Sequence, residues 1–238
     1  MAGSLAVAPA ASGGHLVTSA AFDSMGPSVT SYRAMRYARV IGQTGWATCG
    51  PAAVATLLTH YLEIPVSETD VLFAIAAAGA GATGRPNGQS KATDAGEGEG
   101  TAALIPVTVK PEGYTMLELK RALQQFGVDS VGYQVDLEAL REYFLAGGHP
   151  VLIHLTRPQL HFAVLIGGSG GSALLGDPAF GERSMPWGEL AANYGFSGYV
   201  LVPVPTPGQL ATMLAVQKAA SMDLADRLER LRRLGVAI

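Results

Sequence analysis

The hydrophobic positions of the chain change period once: up to Ala146 they recur three and four residues apart, and from Pro150 they gather into short apolar runs. Val54, Leu57, Leu58, Tyr61 and Leu62 predict the buried stripe of a helix that opens at Cys49, with Thr48 at its cap position and Pro51 tolerated in the first turn. Ser67-Glu68-Thr69-Asp70, a serine with a carboxylate three residues on, opens a second helix through about Ala78. Thr115-Met116-Leu117-Glu118 is a full capping box, and its helix should run to Phe126 and stop at Gly127. Asp136 caps a further helix through Ala146, ended by Gly147-Gly148.

Beyond Pro150 the runs Val151 to Leu155, Phe162 to Gly167, Ala173 to Gly176 and Gly198 to Val204 read as strands divided by Gly, Pro and Ser. Helices first and adjacent short strands later predict an α+β domain, its N-terminal helices packed on a C-terminal antiparallel sheet. After Pro203, Pro205 and Pro207, a last helix from about Gln209 to Leu234 carries Leu210, Met213, Leu214, Leu224, Leu228 and Leu231, with a basic end at Arg227, Arg230, Arg232 and Arg233. An amphipathic helix of this kind is expected to pack on its own domain, with a partner-binding or membrane-surface role as the other use.

Three regions follow. Residues 1–35 read as a flexible lead-in or a residual export signal, 36–205 as the principal domain with a Gly-rich loop at 79–100, and 206–238 as the C-terminal amphipathic helix. The first residues are small and apolar, with Ala8-Pro9-Ala10 reminiscent of a signal-peptidase site, yet the first basic side chain other than His15 is Arg33. The compartment therefore stays open between periplasmic or secreted and cytoplasmic.

Composition narrows the function. Hydrophobic residues make up 48% and charged residues 15%, the balance of a folded protein. A net charge of −3, with Lys/Arg clustered only in the last dozen residues, lacks the footprint of a nucleic-acid binder. The apolar stretch Val71 to Ala82 falls short of the roughly 20 residues of a membrane span, so no transmembrane segment is expected. A single cysteine excludes an intramolecular disulfide and a multi-cysteine metal site, and no metal or other cofactor is expected.

That cysteine is the chemical focus. Free cysteine usually behaves as a small buried hydrophobe, but one in the first turn of a helix faces unpaired N–H groups and the positive end of the dipole, which favour the nucleophilic thiolate. Gln43, six residues upstream, could join the Cys49 backbone N–H around a developing oxyanion, with an ordinary loop glutamine as the equal alternative. A base must be distant in sequence and near in space, and His161 fits, at the mouth of the apolar strand beginning at Phe162. His154 within a strand is its main rival, with a satisfied core histidine as the simpler reading; His60, His149 and His15 are weaker. Asp177 ends the next apolar run, and if the two runs are adjacent antiparallel strands it lies beside His161 to orient the ring; its ordinary alternative is a turn-forming Asp-Pro.

The segment QTGWATCGPAA, Gln43 to Ala53, together with HPVLIHL, HFAVLIGG and LLGDPAFGERSM, resembles cysteine peptidase family thirty-nine, the bacterial bacteriocin-processing peptidases that cleave after Gly-Gly in leader peptides. The resemblance spans about residues 36–204. It implies a papain-like fold with Gln43 as oxyanion donor, Cys49 as nucleophile, His161 as base and Asp177 as its orienter. It also implies a peptide or protein substrate with small residues before the cut. Family members often carry an acidic residue where this chain has Thr48, the 79–100 loop looks like an insertion, and the Gly-Ser-Cys-Trp signature of papain itself is absent. The membrane spans and ATP-driven exporter to which such domains are often fused are missing here, so the resemblance implies a stand-alone form working with a separate secretion system. The same residues also suit an acyltransferase or amidase, which differs only in its acceptor, and a non-catalytic peptide-binding secretion accessory is the reading from another class.

Overall fold

In the computed structural model, residues 31–79, 109–169, 171–233 and 235 are described, and the elements all lie in the unit Tyr32–Ile238. The expected lead-in falls almost entirely outside them, as does the Gly-rich loop beyond Gly79. After the short helix α1 (Tyr32–Arg36), helix α2 (Cys49–Thr56) passes into a π-helical turn, Leu57–Tyr61. Helices α3 (Glu68–Gly79) and α4 (Met116–Gln125) follow, then β1 (Asp129–Gln134), α5 (Leu137–Leu145), β2 (Val151–Leu155), β3 (His161–Ser169) and β4 (Ser172–Asp177). Strand β5 (Gly181–Pro186), α6 (Trp187–Ala192), β6 (Phe196–Val204) and α7 (Pro207–Arg233) complete the order.

The local signals act as their chemistry requires. Thr115 and Glu118 form a reciprocal capping box at α4, and Asp136 accepts from the Ala139 N–H at α5. At α3, Ser67 Oγ accepts from Asp70 N while the Asp70 carboxylate accepts from Ser67 N at 2.7 Å. Thr48 departs from expectation: it makes no side-chain cap to α2. Its hydroxyl instead accepts from Gly45 N and donates to Gly45 O, both at 3.0 Å, because the tight turn before Cys49 brings those groups closer than the helix amides.

All strand pairs are antiparallel, in the order β1-β6-β2-β3-β4-β5. The four apolar runs expected as strands are β2, β3, β4 and β6; β1 and β5, the two edges, were not expected, and neither was α6. One face of the sheet packs Leu152, Val164, Ile166 and Leu201 against Leu57, Leu58, Leu119 and Leu123 of the N-terminal helices. The other packs Ile153, Leu165, Leu175 and Val200 under Leu140 and Phe144 of α5 and Trp187 and Leu190 of α6. Each fully buried leucine here contributes on the order of 1.5–3 kcal/mol.

Helix α7 lies on its own domain. Met213 and Ala220 are buried, Gln217 Nε2 donates to Gly148 O at 2.9 Å and Ile166 O at 2.8 Å, and Asp223 accepts from Arg39 Nη1 at 2.7 Å. Among the described residues no helix is long and apolar enough to cross a membrane.

Two glycines position the site. Gly50 allows the start of α2 to approach β3, since a Cβ there would lie 3.1 Å from Leu119 and 3.3 Å from the Phe162 ring. Gly181, at φ +75°, makes the turn from β4 into β5, and a Cβ would sit 2.6 Å from Arg36 O. Gly181→Ala is expected to destabilise the fold by about 1–3 kcal/mol. Denaturant unfolding checks this, and an unchanged midpoint at unchanged slope would show that the turn accommodates a side chain.

Candidate active site

Helix α2 presents Cys49 from its first position, β3 presents His161 from its first residue, and β4 presents Asp177 from its last. The antiparallel pairing of β3 with β4, with Val164 opposite Gly176, brings the start of one strand beside the end of the other. Cys49, His161 and Asp177 therefore meet at one end of the β3–β4 pair, where α2 reaches the sheet.

The contacts are directional. His161 Nε2 donates to Asp177 Oδ1 at 2.9 Å, which leaves Nδ1 for the hydrogen bond that the ring also makes with Cys49. Burial opposes a charge on His161, but the hydrogen bonds to Asp177 and Cys49 outweigh it and hold the imidazole pKa at about 9. Asp177 is fully buried, and although burial raises its pKa, His161 and Arg183 bring the carboxyl below the ordinary range. Ala179 N adds a 2.9 Å bond to Oδ1. Arg183 Nη2 lies 3.1 Å from Oδ2, an ion contact at an angle that makes no hydrogen bond. The guanidinium is held against the Tyr194 ring, 4.4 Å from its centroid, and by a 3.2 Å bond to the Tyr194 hydroxyl.

Gln43 lies on the loop leading into α2. Its backbone N–H donates to Pro178 O at 3.0 Å, joining this loop to the residue after Asp177. Its amide Nε2 donates to Gly45 O at 2.9 Å, so one N–H is turned into its own loop and the second remains. The buried carboxylate of Glu68, at the start of α3, clamps the next residue by accepting from Thr44 N and Thr44 Oγ1.

A cleft of about 190 Å³ opens beside Cys49, lined by Trp46, Ala47, Gly113, His154, Leu160 and Phe162 among others. His154 thus belongs to the cleft rather than to the Cys49–His161 pair. His60 and His149 sit elsewhere: burial lowers the pKa of both, and His149 Nδ1 contacts Pro150 O. His15 lies outside the described residues. Among the described residues no group of three or more His, Cys, Asp or Glu side chains is placed to hold a metal ion.

Sequence reasoning missed Arg183, Glu68 and the place of His154. Arg183 carries a faint signal, since it stands six residues after Asp177 across a Pro-Gly turn that predicts a hairpin. Glu68 carried only its helix-start signal, which says nothing of a loop 24 residues upstream.

Fold and site together place a cysteine at a helix start beside a histidine and a buried carboxylate on adjacent antiparallel strands. The Peptidase C39 family model matches residues 105–208, a stretch that holds His161 and Asp177. The chain is 26% identical over 176 residues to FapD of Pseudomonas aeruginosa, named a probable functional amyloid protease, covering 74% of this chain and 65% of the relative. FapD of Pseudomonas fluorescens is 25% identical over 72% of this chain and 63% of its own length. The chain thus spans a little under two thirds of these relatives. The peptidase domain of Streptococcus ComA, a bi-functional ABC transporter involved in quorum sensing, shares the fold at a TM-score of 0.51 with 16% identity, over 71% of this chain and 98% of that domain.

Proposed function

We propose that this peptidase cleaves leader or secreted peptides after small residues, through a thioester on Cys49. The observation that carries the chemistry is the double engagement of His161, hydrogen-bonded to Cys49 on one side and to a buried Asp177 on the other. Sulfur attacks the carbonyl while the proton that Cys49 and His161 share is held on His161 Nδ1. The second Gln43 Nε2–H and the Cys49 backbone N–H receive the oxyanion. As the C–N bond breaks, His161 returns the proton to the leaving amine. Water, deprotonated by His161, then hydrolyses the thioester and frees the acid and the thiol. Asp177 keeps Nε2 protonated throughout, which fixes Nδ1 as the working nitrogen.

The preference for small residues is supported by the modest size of the cleft, about 190 Å³, with Gly113 in its lining, and by the resemblance of QTGWATCGPAA to double-glycine peptidases. A protein destined for a functional amyloid is one candidate, on the likeness to FapD. The test is incubation with candidate secreted peptides and sequencing of the new N-termini. Cuts that follow large side chains would overturn the specificity, and products carrying an added amine at the acyl end would overturn hydrolysis.

A pH dependence follows. His161 carries a proton below about pH 9 and loses it above, and the leaving amine needs that proton. The kcat/KM is therefore expected to fall as pH rises through about 9. The stabilising contribution of the His161–Asp177 pair has the same sign: present in full below the unfolded histidine pKa of about 6.5 and lost as pH rises through the folded value. A basic limb near the ordinary histidine value would show that the pair does not govern turnover.

A further inference from the structure

We propose that His154 reads the substrate backbone: its Nε2 accepts a peptide N–H from the acyl-side segment lying in the cleft beside Cys49. This rests on the peptidase reading and adds a specificity-determining residue to it.

The tautomer follows from the strand geometry. The β2–β6 register slips between Ile153 and Leu155, so His154 has no ladder partner on β6. Ser197 Oγ fills the gap, donating to the His154 carbonyl at 3.1 Å and accepting from Tyr199 N at 3.3 Å. Its single proton is committed to that carbonyl, so the 3.0 Å contact between His154 Nδ1 and the same hydroxyl has the ring as donor. A neutral imidazole with Nδ1–H presents a lone pair at Nε2, and among the described residues Nε2 has no protein partner. Burial and the neighbouring His161 charge both lower the His154 pKa, which keeps the ring neutral. Phe162, with its ring centroid 4.9 Å away, fixes the plane.

The position selects the ligand. The cleft is lined by Cys49 and His154 but not by His161, the group that must meet the leaving amine. It therefore holds the acyl side of the scissile bond. A peptide laid there carries a donor at every residue, and small side chains let its backbone approach the ring.

The test uses the full chain, N-acetyl-diglycyl chloromethyl ketone, and the same probe methylated on either glycine nitrogen, with Cys49 alkylation followed by mass. In the native protein one N-methyl probe should react about three- to tenfold more slowly, the effect of one neutral hydrogen bond. His154→Ala should slow the unmethylated probe by a similar factor and erase the methylation penalty, and His154→Gln should restore part of it. Circular dichroism melts check that His154→Ala is folded, and each diglycyl rate is read as a ratio to the same protein's iodoacetamide rate, which corrects for any change in the Cys49–His161 pair that His154 also faces. The proposal is overturned if His154→Ala alkylates with the diglycyl probe as fast as the native chain, or if the methylation penalty survives in that variant. A native iodoacetamide rate no faster than that of free cysteine would sink the peptidase reading instead, and the amide comparison would still decide His154 on its own.

Discussion

Cys49→Ala is expected to lose peptide cleavage and thiol alkylation together, with activity falling on the order of 10⁴-fold or more, while the fold persists. Cleavage goes because no other side chain at the site can form the acyl intermediate. Alkylation goes because the chain has one cysteine. The fold persists because the change removes one small atom group from the edge of a core built on Val54, Leu57, Leu58 and Leu119. Cleavage assays beside circular dichroism melts separate the outcomes. Residual cleavage by a folded variant would show that the chemistry lies elsewhere.

Asp177→Ala is expected to have the second largest effect, because it acts on two quantities at once. The carboxylate is fully buried and engages His161, Ala179 N and Arg183. Its removal leaves the Arg183 guanidinium facing an apolar side chain and should destabilise the fold by about 3–5 kcal/mol, the range for breaking one partner of a buried pair. The imidazole then rotates freely and holds its proton less tightly, so activity should fall by roughly 10²–10⁴-fold and the basic limb should move to lower pH. Asp177→Asn separates the two effects: it preserves the volume and an acceptor but removes the charge, and it should recover most of the stability with little of the activity. Equal recovery of both would demote Asp177 to a packing role.

The sequence was most legible where a segment is apolar on both faces. Strands β2, β3 and β4 lie between two layers of side chains, and their runs of Val, Ile and Leu are the direct imprint of that burial. Strands β1 and β5 are the edges of the sheet. Each pairs on one side only, and Asp129–Gln134 with its mostly exposed side chains carries no alternation to read. Cys49, His161 and Asp177 could be picked out because the roles proposed for them demand particular residue types at particular ends of elements. Arg183 carried only a faint signal, since its spacing from Asp177 suggests a hairpin while the β4–β5 register decides whether the two side chains meet. Thr48 shows the reverse error: a residue type with a strong local preference satisfied it on a turn instead of a helix. His154 was read as a core histidine, and half of that reading holds, because Nδ1 is satisfied inside the fold while the opposite face of the ring opens on the cleft.

The bond from Gln43 N–H to Pro178 O joins the strand-side and helix-side parts of the site through the main chain, so no substitution short of proline at position 43 deletes it. A breathing motion that drew Cys49 away from His161 would have to break this bond along with the Glu68 clamp on Thr44. The alignment of Cys49 with His161 is thereby tied to the native backbone, and the fraction of molecules with a reactive Cys49 is expected to decay along the same curve as the folded fraction, which alkylation and circular dichroism across one denaturant series would check.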